Sequence, residues 1–268
     1  MMEEWRLIES GAADGPWNMA VDEVLLSLAG SEGGAPVLRL YSFDPPAITV
    51  GYHQDPARVL DLDAVRRDRM DLSRRITGGR ALLHAGELTY SVTAPLGGPF
   101  GRTLGDTFLS IAEAVAEALR ASGVDAEVSR GSAGRGGGMR APCIASTGRR
   151  EISVGARKIS GSAQRRTRSA FIQHGSIFLR SGSERISEYL AGKPERLEMM
   201  MTTVEEETGR PADPAAFGRT IAEAFSDRFG ARFARDRLPD RAVKRAGELA
   251  ARKRAELAGP RNRGTKTV

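Results

Sequence analysis

The clearest alternation in the chain runs from Leu88 to Ala94. Leu88, Tyr90, Val92 and Ala94 point one way, and Thr89, Ser91 and Thr93 the other. Period two marks a strand, and alternation this clean suits an antiparallel or half-exposed sheet better than a buried parallel one. Shorter apolar runs predict further strands at Glu4–Ile8, Val37–Tyr41, Ala47–Tyr52, 71–76 and 80–84, with a turn over Ser42–Pro46. EISV and ARKIS, joined at Gly155, read as a hairpin, and residues 170–179 as another strand pair turning at His174–Gly175.

Helical spacing appears elsewhere. Asp14, Gly15 and Pro16 open a helix whose Trp17, Val21, Val24, Leu25 and Leu28 share one face. Residues 61–69 form a short charged helix. Phe108, Ile111, Val115 and Leu119 mark another that ends near Gly123, and Asp213–Pro214 begins one stopped by Gly230. A basic amphipathic helix runs from about Asp240 to Leu257, and GPRNRGTKTV after it reads as a disordered tail. Residues 129–140 read as a loop. Strands and helices do not alternate strictly, and no linker or repeat intervenes. The expectation is one α+β domain over residues 1–258, a mixed and largely antiparallel sheet flanked by helices, with 259–268 as the tail.

Charge sharpens this picture. The formal net charge is +6. Residues 240–268 hold nine bases and three acids, and residues 129–180 hold eleven bases against Glu151 alone. Such a patch steers acidic partners. Interleaved aromatics and nucleic-acid-binding motifs are missing, so no nucleic-acid partner is expected. No apolar run is long enough for a membrane span. The start, MMEEWRLIES, lacks a signal-type apolar region, and one cysteine suits a reducing cytoplasm.

That cysteine, Cys143, lies fifteen residues before Lys158 in APCIASTGRREISVGARKISGSAQ. A lone cysteine forms no intramolecular disulfide, so it is either a small buried apolar residue or a nucleophile. Its basic, glycine-rich surroundings favour a reactive thiolate. Only five of forty basic residues are lysine, and four of them fall in the C-terminal third. Lys158 is the exception, and lysine is the cation that serves as a compact point charge. RRITGGR, residues 74–80, joins two predicted strands. Its paired glycines let backbone approach a ligand, though a plain hairpin turn would use them too. The three histidines and Cys143 match no zinc-ligand spacing, so no metal is expected.

In combination, RRITGGRALLHAGELTYSV and EISVGARKISGSAQRRTRSAFIQHGSIFL resemble the lipoate–biotin protein ligase superfamily. GPWNMAVDEVLL is similar to the opening helix of its lipoyl branch. The resemblance covers about residues 5–230. It implies that superfamily's catalytic fold and one of two chemistries. Lipoate ligases activate lipoate with ATP. Octanoyltransferases move octanoate from acyl carrier protein to a lipoyl-domain lysine through a cysteine thioester, without a cofactor. One transferase branch carries its cysteine on the loop before this hairpin, where Cys143 stands. By resemblance, Cys143 is the nucleophile and Lys158 tunes it. Arg75, Gly78, Gly79, His84, Gly161, Ser162, Ala163 and His174 bind substrate. The implied partners are acyl carrier protein and lipoyl domains, such as glycine cleavage H protein or a 2-oxoacid dehydrogenase E2, both typically acidic. Arg80, where ligases usually have a third glycine, leans toward the transferase. The alternatives are an ATP-dependent ligase, or an amidotransferase moving the acyl group between lipoyl domains.

Overall fold

A computed structural model describes residues 3–30, 34–129, 151–192 and 197–258. The chain runs through β1 (Glu3–Ala13), α1 (Gly15–Ala29), β2 (Val37–Phe43), β3 (Ala47–Val50), α2 (Pro56–Val59), α3 (Leu62–Arg67), β4 (Asp71–Arg74), β5 (Leu82–His84) and β6 (Glu87–Pro95). It continues through α4 (Leu104–Ala121), β7 (Glu127–Val128), β8 (Ile152–Val154), β9 (Arg157–Arg166), β10 (Ala170–Phe178), α5 (Val204–Thr208), α6 (Pro214–Phe229), β11 (Ala231–Asp236) and α7 (Asp240–Ala258). Eight strands form one sheet in the order β11-β1-β2-β6-β10-β9-β8-β7, and β4-β3-β5 form a second. β1 pairs in parallel with β11 and β2, while the remaining neighbours in the large sheet are antiparallel. The architecture is the expected α+β class, a mixed sheet flanked by helices.

Period two divides each central strand between two helical layers. Trp5, Leu7, Leu38, Leu40, Leu88, Tyr90 and Val92 pack with Ile111, Val115 and Leu119 of α4 and Phe217, Ile221 and Phe225 of α6. Trp5 lies against Phe100 and Phe229, with ring centroids 4.9 and 5.2 Å away. On the opposite face Ile8 and Val37 meet Val21, Val24 and Leu25 of α1, with Ala242, Ala246 and Ala250 of α7 packed behind. Small residues at this spacing let α7 lie close against α1. No helix among the described residues is long and apolar enough to cross a membrane.

Two sequence expectations need correction and one holds. β6 is antiparallel, as its alternation predicts, with every residue from Glu87 to Ala94 buried. Its polar face lies under α1, where Ser91 bonds Asp22 and Thr89 meets Ser176. Residues 170–178 form one continuous strand instead of a pair. Gly175 keeps extended pairing on both sides because its missing side chain makes room: a Cβ there would sit 2.4 Å from Ser162 Oγ. RRITGGR is longer than a tight turn, since β4 ends at Arg74 and β5 starts at Leu82. β11 was not evident in the sequence; its ARFARD is half polar because it forms a sheet edge. The tail over 259–268 and the loop over 130–140 lie outside the described residues.

The segment between β4 and β5 rests on the backbone after β3. A Cβ on Gly51 would sit 2.0 Å from the Gly79 carbonyl oxygen, whereas a Cβ on Gly78 would meet nothing within 4 Å. Gly79 has φ +92°, a value that disfavours other residues. Gly51→Ala is therefore expected to lower unfolding free energy by about 1–3 kcal/mol or more through overpacking. Gly78→Ala should cost under about 0.5 kcal/mol. Denaturant midpoints at equal m-value check this, and equal midpoints for the two variants would contradict the packing.

Candidate active site

The large sheet and the segment 75–81 enclose a narrow slot on the α1 face. Its floor crosses four strands in register, with Tyr41 opposite Thr89, Thr89 opposite Ser176, and Ser176 opposite Gly161. Met19 of α1, Leu82 and Phe178 supply apolar walls, and Arg75, Gly79, Arg80, His84, Lys158, Ser162, Ala163 and His174 complete the lining. The free volume is about 40 Å³, room for about three waters. A slot this small must widen to admit an acyl chain. Flexible Met19 is the wall residue best able to turn aside for it.

Lys158 lies at one end of the slot and is 4% exposed. Its Nζ donates to Glu151 Oε1 at 2.6 Å, so the buried ammonium has a carboxylate beside it. Its backbone carbonyl accepts from the Thr202 amide at 2.9 Å, tying β9 to the segment before α5. Gly161 makes room for the side chain. A Cβ there would lie 2.8 Å from Lys158 Cε and 2.9 Å from Nζ, closer than real contacts allow. The GARKISGSAQ pattern is thus a lysine and the glycine that lets it lie flat across the sheet.

Asp22 organises the floor. It is 1% exposed and accepts four hydrogen bonds: Arg39 Nη1 at 2.8 Å and Ser91 Oγ at 2.9 Å on Oδ1, Tyr41 OH at 2.8 Å and His174 Nδ1 at 3.0 Å on Oδ2. Burial opposes its ionisation, but the His174 hydrogen bond and the Arg39 charge outweigh it, and the carboxyl is held below its usual range. Burial and the Asp22 charge push the Tyr41 phenol well up, so it stays a donor. Arg39, fully buried, also reaches Ser10 Oγ, Asn18 O and Asn18 Oδ1, and its guanidinium lies 3.8 Å from the Tyr41 ring centroid. With Nδ1 turned to Asp22, His174 presents Nε2 to Thr77 Oγ1 at 2.6 Å. The segment over the slot is thereby tied to the core.

Arg75 fastens the rest of that segment. Buried at 6% exposure, it donates to the Thr49 carbonyl and Oγ1, at 3.0 and 2.6 Å, and to the Gly78 and Arg80 carbonyls, at 3.3 and 2.7 Å. Arginine only donates, so the Thr49 hydroxyl directs its hydrogen to His84 Nε2, 2.7 Å away. His84 Nδ1 then carries a hydrogen toward Glu87 Oε1 at 3.1 Å. This places the imidazole in its neutral form. Burial, the dominant influence, also lowers its basicity despite the Glu87 carboxylate. His84 stacks on Phe43 with centroids 3.9 Å apart.

The slot therefore gathers Lys158, Arg75, Gly79, His84, Gly161, Ser162, Ala163 and His174. Gly78 stands beside it, with its carbonyl held by Arg75. Cys143 lies outside the described residues. Both slot histidines use their ring nitrogens on protein partners, so they support the walls. Sequence reading missed Asp22, Arg39, Thr77 and Glu151. One signal was available: Asp22 interrupts the apolar stripe of α1, and Arg39 interrupts VLRLY. A charge inside an apolar pattern implies a buried partner.

Known proteins resemble this chain in sequence and in fold. Residues 14–226 match the lipoyl protein ligase A/B catalytic domain. A protein of Clostridioides difficile named octanoyltransferase LipM is 30% identical over 249 residues, covering 89% of this chain and 92% of its own. Its Moorella thermoacetica namesake is 42% identical over 134 residues, so that match spans about half of either chain, 49% of each. Among solved structures, a lipoate-protein ligase A bound with ATP superposes with a TM-score of 0.77 at 24% identity, over 95% of this chain and 96% of that one. Ta0514 of T. acidophilum, a putative lipoate protein ligase with bound lipoic acid, gives 0.75 at 24% identity, over 94% and 96%. These two establish the shared fold. By the extent of the domain match and the full-length Clostridioides relative, the chain belongs to the lipoyl protein ligase A/B catalytic domain family.

Proposed function

We propose that this protein is an octanoyltransferase of lipoate biosynthesis, moving octanoate from acyl carrier protein to a lysine of a lipoyl domain through a thioester on Cys143. One observation carries the reading: a buried lysine, seated by Gly161 at the end of a thin slot, follows the chain's only cysteine by fifteen residues. The relatives named octanoyltransferase support it. The same reading puts the protein in the cytoplasm, where a lone thiol stays reduced.

In the first half-reaction the Cys143 thiolate attacks the donor thioester carbon. The tetrahedral intermediate collapses, and the carrier thiolate leaves to take up a proton. In the second, a neutral amine of the acceptor lysine attacks the Cys143 thioester, loses its proton, and releases the Cys143 thiolate. A thioester is exchanged for a thioester and then an amide, so no ATP is consumed. The Lys158 ammonium favours the thiolate and the oxyanions of both steps, and removing such a donor costs about 3–4 kcal/mol in comparable sites. The Asp22–His174–Thr77 and Arg75–Thr49 connections hold segment 75–81 over the acyl chain. Arg75, Gly79, His84, Ser162, Ala163 and His174 then shape the acyl site.

Transfer from octanoyl carrier protein to a lipoyl domain tests this. Cys143→Ala is expected to abolish it, and Lys158→Arg to lower it at least about a hundredfold while the fold survives. Arginine keeps the charge but cannot fit its planar fork over Gly161. Full activity of Cys143→Ala with lipoate and ATP would instead establish a ligase. The basic excess over 129–180 gives a second expectation. Arg157 is already paired with Glu206 and Glu207, and Lys158 is buried against Glu151, so the other cations of this stretch would recruit the acidic carrier. Apparent carrier affinity should weaken as salt rises, since screening lengths shrink to about 8 Å at 0.15 M. A flat salt profile would remove the charge cluster from the account.

A further inference from the structure

Behind segment 75–81 lies a second, wider groove of about 830 Å³, and Arg75 forms part of the wall of both. It runs between the 52–55 loop, Arg165 and α7. We propose that this groove binds the phosphodiester of the 4′-phosphopantetheine arm on which the acyl donor arrives, an inference that rests on the thioester-donor reading above.

The groove is built around a fixed exposed aromatic. Tyr52 is 47% exposed, yet its loop is rigidly braced. Arg74 Nη1 donates to the Gly51, Tyr52 and Gln54 carbonyls at 3.3, 3.1 and 2.7 Å. The Tyr52 amide donates to the Thr77 carbonyl at 2.9 Å. An exposed ring is not explained by core packing, and bracing it preorganises a contact surface. The Arg165 guanidinium lies 5.0 Å from its centroid and donates to the Ile76 carbonyl at 3.0 Å.

Three carboxylates line the groove, Glu23, Asp55 and Glu256, and each faces a cation other than Arg165, with Asp55 lying 3.8 Å from Arg58. Glu256 is engaged by Arg74 at 3.0 Å and Glu23 by Lys253 at 2.9 Å, whereas no carboxylate pairs with Arg165 among the described residues. A guanidinium held by a carbonyl and a ring keeps donors in a fixed fork, the geometry that matches phosphate oxygens. Its distance also fits. Gly161, Ala163 and Arg165 pair with Ser176, His174 and Ile172, so they share one face of β9. Four residues along a strand span about 13 Å. Arg165 thus stands an arm's length from the Gly161 position where the Lys158 ammonium lies. A thioester at Lys158 and a phosphodiester at Arg165 would be joined by the amide-rich arm.

The test compares S-octanoyl-4′-phosphopantetheine with S-octanoyl-pantetheine, which lacks only the phosphate, alongside octanoyl carrier protein. The wild type is expected to favour the phosphorylated small donor in kcat/KM, and Arg165→Ala to reduce that preference about tenfold, as befits a charged hydrogen bond. Arg165→Lys should retain part of it, and Tyr52→Ala should reduce it in the same direction. An unchanged preference in Arg165→Ala would overturn the proposal. Equal loss with both small donors would overturn it too, leaving Arg165 as a brace for Ile76. Loss confined to the carrier protein would assign the groove to a protein surface. If the wild type used none of the thioesters, the donor reading itself would fail and take this inference with it.

Discussion

Asp22 is a single carboxylate, sealed from solvent, that accepts hydrogen bonds from four side chains on three strands. A buried charge survives only when its lone pairs are occupied and a counter-charge is near. Arg39 supplies the charge, and Tyr41, Ser91 and His174 supply the remaining donors. Breaking such a pair from one side typically costs about 3–5 kcal/mol, because the other charge stays buried and unpaired. α1 is therefore held to β2, β6 and β10 by directional bonds as well as by apolar contact. The fourth bond carries this constraint outward, because His174 passes it to Thr77 and so to the segment that roofs the slot.

A second constraint complements it from the other end of that segment. Arg75 gathers the Thr49, Gly78 and Arg80 carbonyls around one guanidinium. Gly51 permits the Gly79 carbonyl to approach. The roof is thus fastened twice, and its interior surface needs little reorganisation when a chain enters. Preorganisation of this kind is what electrostatic stabilisation of an oxyanion requires. Lys158 fits the same logic, lying flat where Gly161 leaves space and facing Glu151. Tyr52, bonded to the Thr77 carbonyl, extends the rigid region to the outer groove.

Much of this was legible in the residues. Alternation in β6, the capped start of α1 and the Phe217–Ile221–Phe225 face of α6 all formed as their periods predict. The helix over Asp240–Ala258 also formed close to its expected bounds. Periodicity could not reveal what covers a face. The Thr89, Ser91 and Thr93 side of β6 looks solvent-facing in one dimension, and only the fold brings α1 and Asp22 over it. Gly175 misled for a related reason. A glycine in a strand reads as a turn, but here it admits Ser162 and Tyr90 from neighbouring strands. The site was legible as a set of residue types but not as a network. The side chains that bond Arg75 and His174 lie far away in sequence, at Thr49 and at Asp22 and Thr77, and no local pattern announces them.

Between the two proposed half-reactions the acyl group rests on Cys143. Incubating the protein with octanoyl carrier protein, without ATP or acceptor, and measuring its intact mass addresses this directly. The account predicts a gain of one octanoyl group, released by neutral hydroxylamine as a thioester and mapped to the peptide containing Cys143. An unmodified mass, together with acylation of a lipoyl domain only when ATP and free lipoate or octanoate are supplied, would contradict it.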